Sequence, residues 1–179
     1  MSPRADAAQN RERILAAART ALAASKEVRL SAIAREAGVG QGTLYRHFPT
    51  REDLLAAAYE REVDELAVAA PRLLQDHAPL AALRLWLGEV ADYARVKRGL
   101  IAAVEATVWR ELTDASTTRI AAAIDELLRA GRQAGVVRDD VDARDVTLLI
   151  GFLTRVDEEE WDTRARHLLD VILDGLRRC

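Results

Sequence analysis

The stretch "EAGVGQGTLYRHFPTREDLL", Glu36 to Leu55, sets the tightest limit on how this chain can fold. Gly38 and Pro49 bracket its middle as helix-ending signals. Glycine reaches the left-handed backbone region cheaply, and proline drives the residue before it, here Phe48, out of helical angles. Any helix between them is short. That segment, "QGTLYRHF", is rich in hydrogen-bonding side chains, and Thr50 with Asp53 three residues on gives a capping-box start to the next helix. A sharp turn and a short polar helix, framed by long Ala- and Leu-rich runs, present side chains outward and do not by themselves build a core.

The framing runs predict an all-α chain. Half of the residues are apolar, aromatics make up only 4%, and the abundant Ala, Leu, Arg and Glu are strong helix formers. Ile14, Leu15, Ala18 and Leu22 recur at helical spacing in a first helix from Ala7 to about Ala24. Ser31 stands where an N-cap is expected for a second helix, "AIAREA", ended by Gly38. The fourth helix, "REDLLAAAYEREVDELAVAA", is expected to stop at Pro71. Further helices are expected over 80–96, 99–112, 114–134, 143–156 and 158–178.

Helix, glycine turn and short helix form the helix-turn-helix plan, in which the second helix enters the DNA major groove. Ile33, Ala34, Ala37, Val39, Leu44 and Phe48 are then the residues that bury against the first helix, leaving Gln41, Gly42, Thr43, Tyr45, Arg46 and His47 outward. Hydroxyl, phenol and imidazole groups donate to phosphates, whereas glutamine and arginine read base edges. Charge is divided to match. Residues 1–50 carry 8 basic against 4 acidic side chains, and residues 51–179 carry 18 against 25. A basic module facing an anionic partner is the expected source of that asymmetry.

Other functions find little support. No apolar run approaches a membrane span and the N-terminus has no signal-peptide core, so a cytoplasmic protein is expected. His47, His77 and His167 lie in separate segments, and no nucleophile arrangement, phosphate loop or metal spacing accompanies them. Neither catalysis nor a metal or cofactor is expected. Cys179, the last residue and the single cysteine, is read as an incidental exposed thiol.

"LSAIAREAGVGQGTLYRHFPTREDLL" resembles the DNA-binding signature of the TetR family of bacterial transcriptional regulators, within a similarity covering roughly residues 10–56. The remainder is similar to that family's ligand-binding and dimerisation region in size and order alone. The resemblance implies an N-terminal three-helix helix-turn-helix domain over residues 1–56. A long fourth helix bridges to about residue 70, and a larger effector-binding and dimerisation domain occupies 57–179. It also implies that Thr43, Tyr45 and His47 hold phosphates, that Arg51 fills a place usually held by lysine, and that Gln41 leads base reading. Gly42, Arg46 and Ser31 complete the DNA-binding set. Gly40 departs from the family's usual serine or threonine, and Gln41 from its frequent lysine.

A homodimer on an inverted-repeat operator in double-stranded DNA is the expected assembly, since one module contacts too little surface to select a site. The last two helices offer apolar surface for it, with Leu149, Leu153, Leu168, Leu169, Ile172 and Leu176 as interface residues. Trp86, Tyr93, Glu105, Trp109, Ile124 and Phe152 are the expected lining of a pocket for a small organic effector, with Glu105 the one carboxylate on an apolar face. The expected function is a ligand-responsive transcriptional regulator, a repressor released by its effector. The alternative is a DNA-binding protein without an effector, constitutive or tuned by a partner.

Overall fold

The computed structural model describes residues 3–24, 28–104 and 106–178, with their side chains except at 3–4, 106–108 and 110–115. The helices described are α1 (Pro3–Ala23), α2 (Leu30–Glu36), α3 (Gln41–His47), α4 (Arg51–Asp76), α5 (Pro79–Ala103), α6 (Ala106–Gln133), α7 (Ala143–Ile150) and α8 (Arg166–Leu176). Among the described residues there is no sheet, only an isolated antiparallel bridge between Val137 and Arg177. The architecture is all-α, with an N-terminal helix-turn-helix region followed by a larger helical region. The chain divides into two compact units, one of Met1–Glu62 with Arg95–Leu112, the other of Val63–Ala94 with Thr113–Cys179.

In the first unit α1 buries the expected stripe, with Ile14, Ala18 and Leu22 fully covered. Against it lie Ile33, Ala34 and Ala37 of α2 and Leu44 and Phe48 of α3. Val39 is half-buried. Gly38 takes the left-handed conformation, φ 63°, that lets the chain turn between α2 and α3. Phe48 leaves the helix at φ −137° and ψ 94°, as its proline neighbour requires. The capping box is formed in both directions: the Thr50 amide donates to Asp53 Oδ2 at 3.1 Å, and the Asp53 amide to Thr50 Oγ1 at 3.0 Å. Arg19 of α1 pairs with Glu62 of α4 at 2.9 Å, the carboxylate being buried.

In the second unit the α5 stripe Leu83, Trp86, Leu87, Val90 and Tyr93 is buried throughout. It shares this core with Ile124, Leu127 and Leu128 of α6 and Leu169, Leu173 and Leu176 of α8. Asp142 and Asp145 form the capping box that starts α7.

Several expected boundaries move. Ser31 does not cap α2. Arg29, in extended conformation, is the N-cap, and its carbonyl accepts from the Ala32 and Ile33 amides, so Ser31 lies inside the first turn. Pro71 does not end α4, which runs on to Asp76. Ala69, Ala70 and Leu73 are buried on either side of it, and that burial offsets the cost of one missing backbone donor. The helices expected over 80–96 and 99–112 are not separate, because α5 continues through Gly99 to Ala103. Likewise α6 runs without a break across 112–114. After α7 the path tightens into 3-10 segments at Gly151–Arg155 and Glu158–Glu160. It then widens into a π turn at Trp161–Ala165 before α8. Leu153, Trp161 and Ala165 are buried along this path, and the expectation of unbroken helices over 143–156 and 158–178 misses the change of winding, since each irregular segment is only three to five residues long.

Gly99 persists within α5 because it is a contact residue: a Cβ there would sit 2.1 Å from the Leu22 carbonyl oxygen of α1. At Gly88, on the same helix, a Cβ would meet nothing within 4 Å. Gly99→Ala is therefore expected to destabilise the protein by about 1–3 kcal/mol through overpacking. Gly88→Ala should be neutral or stabilising by up to about 1 kcal/mol through helix propensity. Paired thermal melts check this, and equal melting temperatures for the two variants would refute the close approach.

Candidate nucleic-acid interface

α3 is seven residues long, too short to hold its shape alone. Leu44, 1% exposed, and Phe48, 2% exposed, pin it to the unit's core, and the Arg11 guanidinium covers the Phe48 ring from α1 at 4.7 Å. That role of Arg11 was not legible in the sequence, where it reads as ordinary decoration of a helix surface. With one edge of α3 buried, the remaining side chains have one way to point.

Gln41, Gly42, Tyr45 and Arg46 are exposed, Tyr45 at 50%, while Thr43 and His47 are half-buried. The structure thus brings all six to one short helix. Gly40, the N-cap of α3, offers no side-chain acceptor, and a Cβ there would meet nothing within 4 Å. Arg46 folds along its own helix, its Nε donating to the Gly42 carbonyl at 3.2 Å and its Nη2 to Thr43 Oγ1 at 3.1 Å. Because the Thr43 oxygen accepts from Arg46, its own proton is left to donate elsewhere. Ser31 is exposed on α2. The guanidinium of Arg51, at the start of α4, holds two backbone carbonyls: its Nε donates to the Val28 carbonyl at 3.2 Å and its Nη1 to the Ala103 carbonyl at 2.8 Å.

The residues expected to line an effector pocket are more dispersed. Trp86 is fully buried and its indole N–H donates to the Leu66 carbonyl at 2.9 Å, which makes it a satisfied core residue of the second unit. Tyr93 and Ile124 are buried in that unit and Phe152 is half-buried. Trp109 belongs to the first unit. Its ring lies 5.8 Å from that of Tyr59 and 5.4 Å beneath the Lys97 ammonium. Burial holds the Lys97 amine below the usual lysine range. Glu105 lies outside the described residues. The two cavities described, of about 250 and 380 Å³, have other linings: Arg84, Leu87, Gly88, Arg166, Leu169, Asp170 and Leu173 for the first, and Asp64, Glu65, Val68, Ala69, Arg72 and Glu89 for the second.

The expected dimer residues divide in two. Leu153, Leu169 and Leu176 point into the second unit's own core. Leu149 is 49% exposed, and Leu168 and Ile172 are half-buried. Leu148 of α7 and Val171 of α8 are also exposed, at 66% and 52%.

Comparison with known proteins agrees with the geometry. Residues 14–58 match the family described as bacterial regulatory proteins, tetR family, and residues 78–178 match the SbtR-like transcriptional regulator C-terminal domain. A TetR transcriptional regulator of Streptomyces coelicolor is 39% identical and superposes with a TM-score of 0.80 over 93% of this chain and 98% of its own. A TetR regulatory protein of Mycobacterium vanbaalenii is 34% identical, TM-score 0.78, over 99% and 100% of the two chains. An HTH-type transcriptional regulator of Staphylococcus aureus is 28% identical over 106 residues, which span 58% of this chain and 57% of that protein. The fold and the outward polar helix define a DNA-binding helix-turn-helix transcriptional regulator. The chain belongs to the TetR family. Among its described residues no helix is long and apolar enough to cross a membrane.

Since a Cβ at Gly42 would meet nothing within 4 Å, Gly42→Ala should leave the melting temperature unchanged or raised. Tyr45→Ala, at a half-exposed ring, should change it little. Both variants are expected to weaken DNA binding, measured by titration of labelled duplex. A large drop in melting temperature for Tyr45→Ala would instead mark that ring as packing.

Proposed function

We propose that this protein binds an inverted-repeat operator as a homodimer and represses transcription from the promoter it covers until a small organic effector releases it. The observation that carries the DNA reading is the two-sidedness of α3: Leu44 inward, with Gln41, Tyr45 and Arg46 outward. In this reading Gln41 reads a base edge, by bidentate contact with adenine. Thr43, Tyr45 and His47 hold phosphates and fix register, and Gly42 lets the helix backbone approach the groove closely. Ser31 and Arg46, both exposed, complete the DNA-binding set in this reading. Selection of bound duplexes from random DNA by the purified protein tests the reading. An enriched inverted repeat is expected, and no enrichment at low salt by folded protein would refute it.

Homodimerisation is supported by the apolar side chains that α7 and α8 leave uncovered: Leu148, Leu149 and Val171 are exposed, and Leu168 and Ile172 are half-buried. Such side chains on a surface helix suit a second copy related by a two-fold axis. Val171→Glu is expected to yield folded monomer by sedimentation and to weaken operator binding steeply. A dimer as stable as the parent would place the interface elsewhere.

The effector reading rests on family membership together with Tyr93, Ile124, Phe152, Trp109 and Glu105 as the residues to probe; Trp86 serves the core in this reading. Release requires the effector to favour the conformation that fits DNA poorly, because a ligand indifferent to the two states shifts neither. A panel of apolar and cationic compounds, scored by melting-temperature shift, separates this reading from regulation without an effector.

A further inference from the structure

We propose that Arg51 is a positioning residue which locks the DNA-reading module together from inside, and that it is not a phosphate contact. Its guanidinium joins places far apart in sequence. Nε donates to the carbonyl of Val28, in the lead-in to α2, and Nη1 to the carbonyl of Ala103, the last residue of α5. Both bonds are part-buried and of ordinary length, 3.2 and 2.8 Å.

The chemistry suits arginine. The carbonyls of a helix's last turn have no amide partner within the helix, and the negative end of the helix dipole lies there, so a cation is favoured on both counts. A planar fork with fixed N–H directions can satisfy two carbonyls at once, whereas a lysine ammonium is a point charge on a flexible stem. Arg51 is also the first residue of α4, directly after the Thr50 cap and close behind Phe48, which ends α3. Fixing it against Val28 and Ala103 therefore sets where α4 begins. Through Phe48 and Pro49, that fixes the direction in which α3 presents Gln41 and Tyr45. A change at the end of α5 has, in this side chain, a direct route to the reading helix.

The inference rests on the DNA-binding reading above, and its test separates the two. Arg51→Ala and Arg51→Lys are compared with the parent in operator affinity across a salt series, using the duplex enriched by the parent protein. Hydrogen exchange over residues 28–36 and thermal melts are measured without DNA. If Arg51 positions the module, Arg51→Ala loses about tenfold in affinity through lost preorganisation while the slope of log K against log salt stays that of the parent. Arg51→Lys, which keeps the charge, loses nearly as much. In both variants amides of residues 28–36 exchange faster. If Arg51 instead holds a phosphate, Arg51→Ala flattens the slope by about 0.9 per protomer, about 1.8 for the homodimer, Arg51→Lys restores it, and exchange is unchanged. That result would overturn the proposal, as would parental affinity and exchange in both variants. Should the parent enrich no duplex, the operator reading falls, while exchange and melting in the free protein still decide whether Arg51 locks the module.

Discussion

The contact between α1 and the short α3 is the one on which the rest depends. A seven-residue helix with a glycine at its second position gains too little from its own hydrogen bonds to persist in water. It exists because Leu44 and Phe48 are buried against the α1 stripe, with Arg11 closing over the Phe48 ring. Truncation of one such side chain costs about 2–5 kcal/mol, a large share of the stability of a domain of this size. The same burial that makes α3 a helix also decides which of its faces is left outward. Folding and function are thus two consequences of one packing arrangement, and the polar residues are left outward without each needing its own anchor.

Backbone polar groups supply the second constraint. Helix ends leave carbonyls and amides without partners, and side chains answer three of them: Thr50 with Asp53 at the start of α4, Asp142 with Asp145 at the start of α7, and Arg51 at the end of α5. The first two are short-range exchanges between residues three apart. The third spans 52 positions and can form only once the helices have packed. This difference in range separates caps that can help start a helix from one that holds finished helices in place.

α8 shows how one sequence stripe serves two ends. Leu169, Leu173 and Leu176 belong to the core, while Val171 and, in part, Leu168 and Ile172 remain open to solvent. A helix apolar on more than one side is costly to leave exposed. Val171 on the open side has charge close by on its own helix, its neighbour Asp170 pairing with Arg84 of α5 at 2.7 Å.

The sequence by itself determined the class of fold, the helix-turn-helix, the Gly38 turn, the Phe48–Pro49 stop and the Thr50 cap. Each follows from backbone chemistry within a few residues, where glycine, proline and capping side chains act with little help from the rest of the chain. Leu83, Trp86, Leu87, Val90 and Tyr93 also recur at a helical period, a pattern that needs only one helix to be seen. Tertiary structure decided what depends on a neighbour. Pro71 lies within α4 because residues on both sides of it are buried. Gly99 is a contact in place of a break because the α1 backbone passes beside it. Leu169 and Val171 part company because only packing chooses which side of an apolar helix turns inward. Arg51 faces carbonyls instead of solvent because their positions are set by segments 23 and 52 residues away, a distance over which no local pattern carries information.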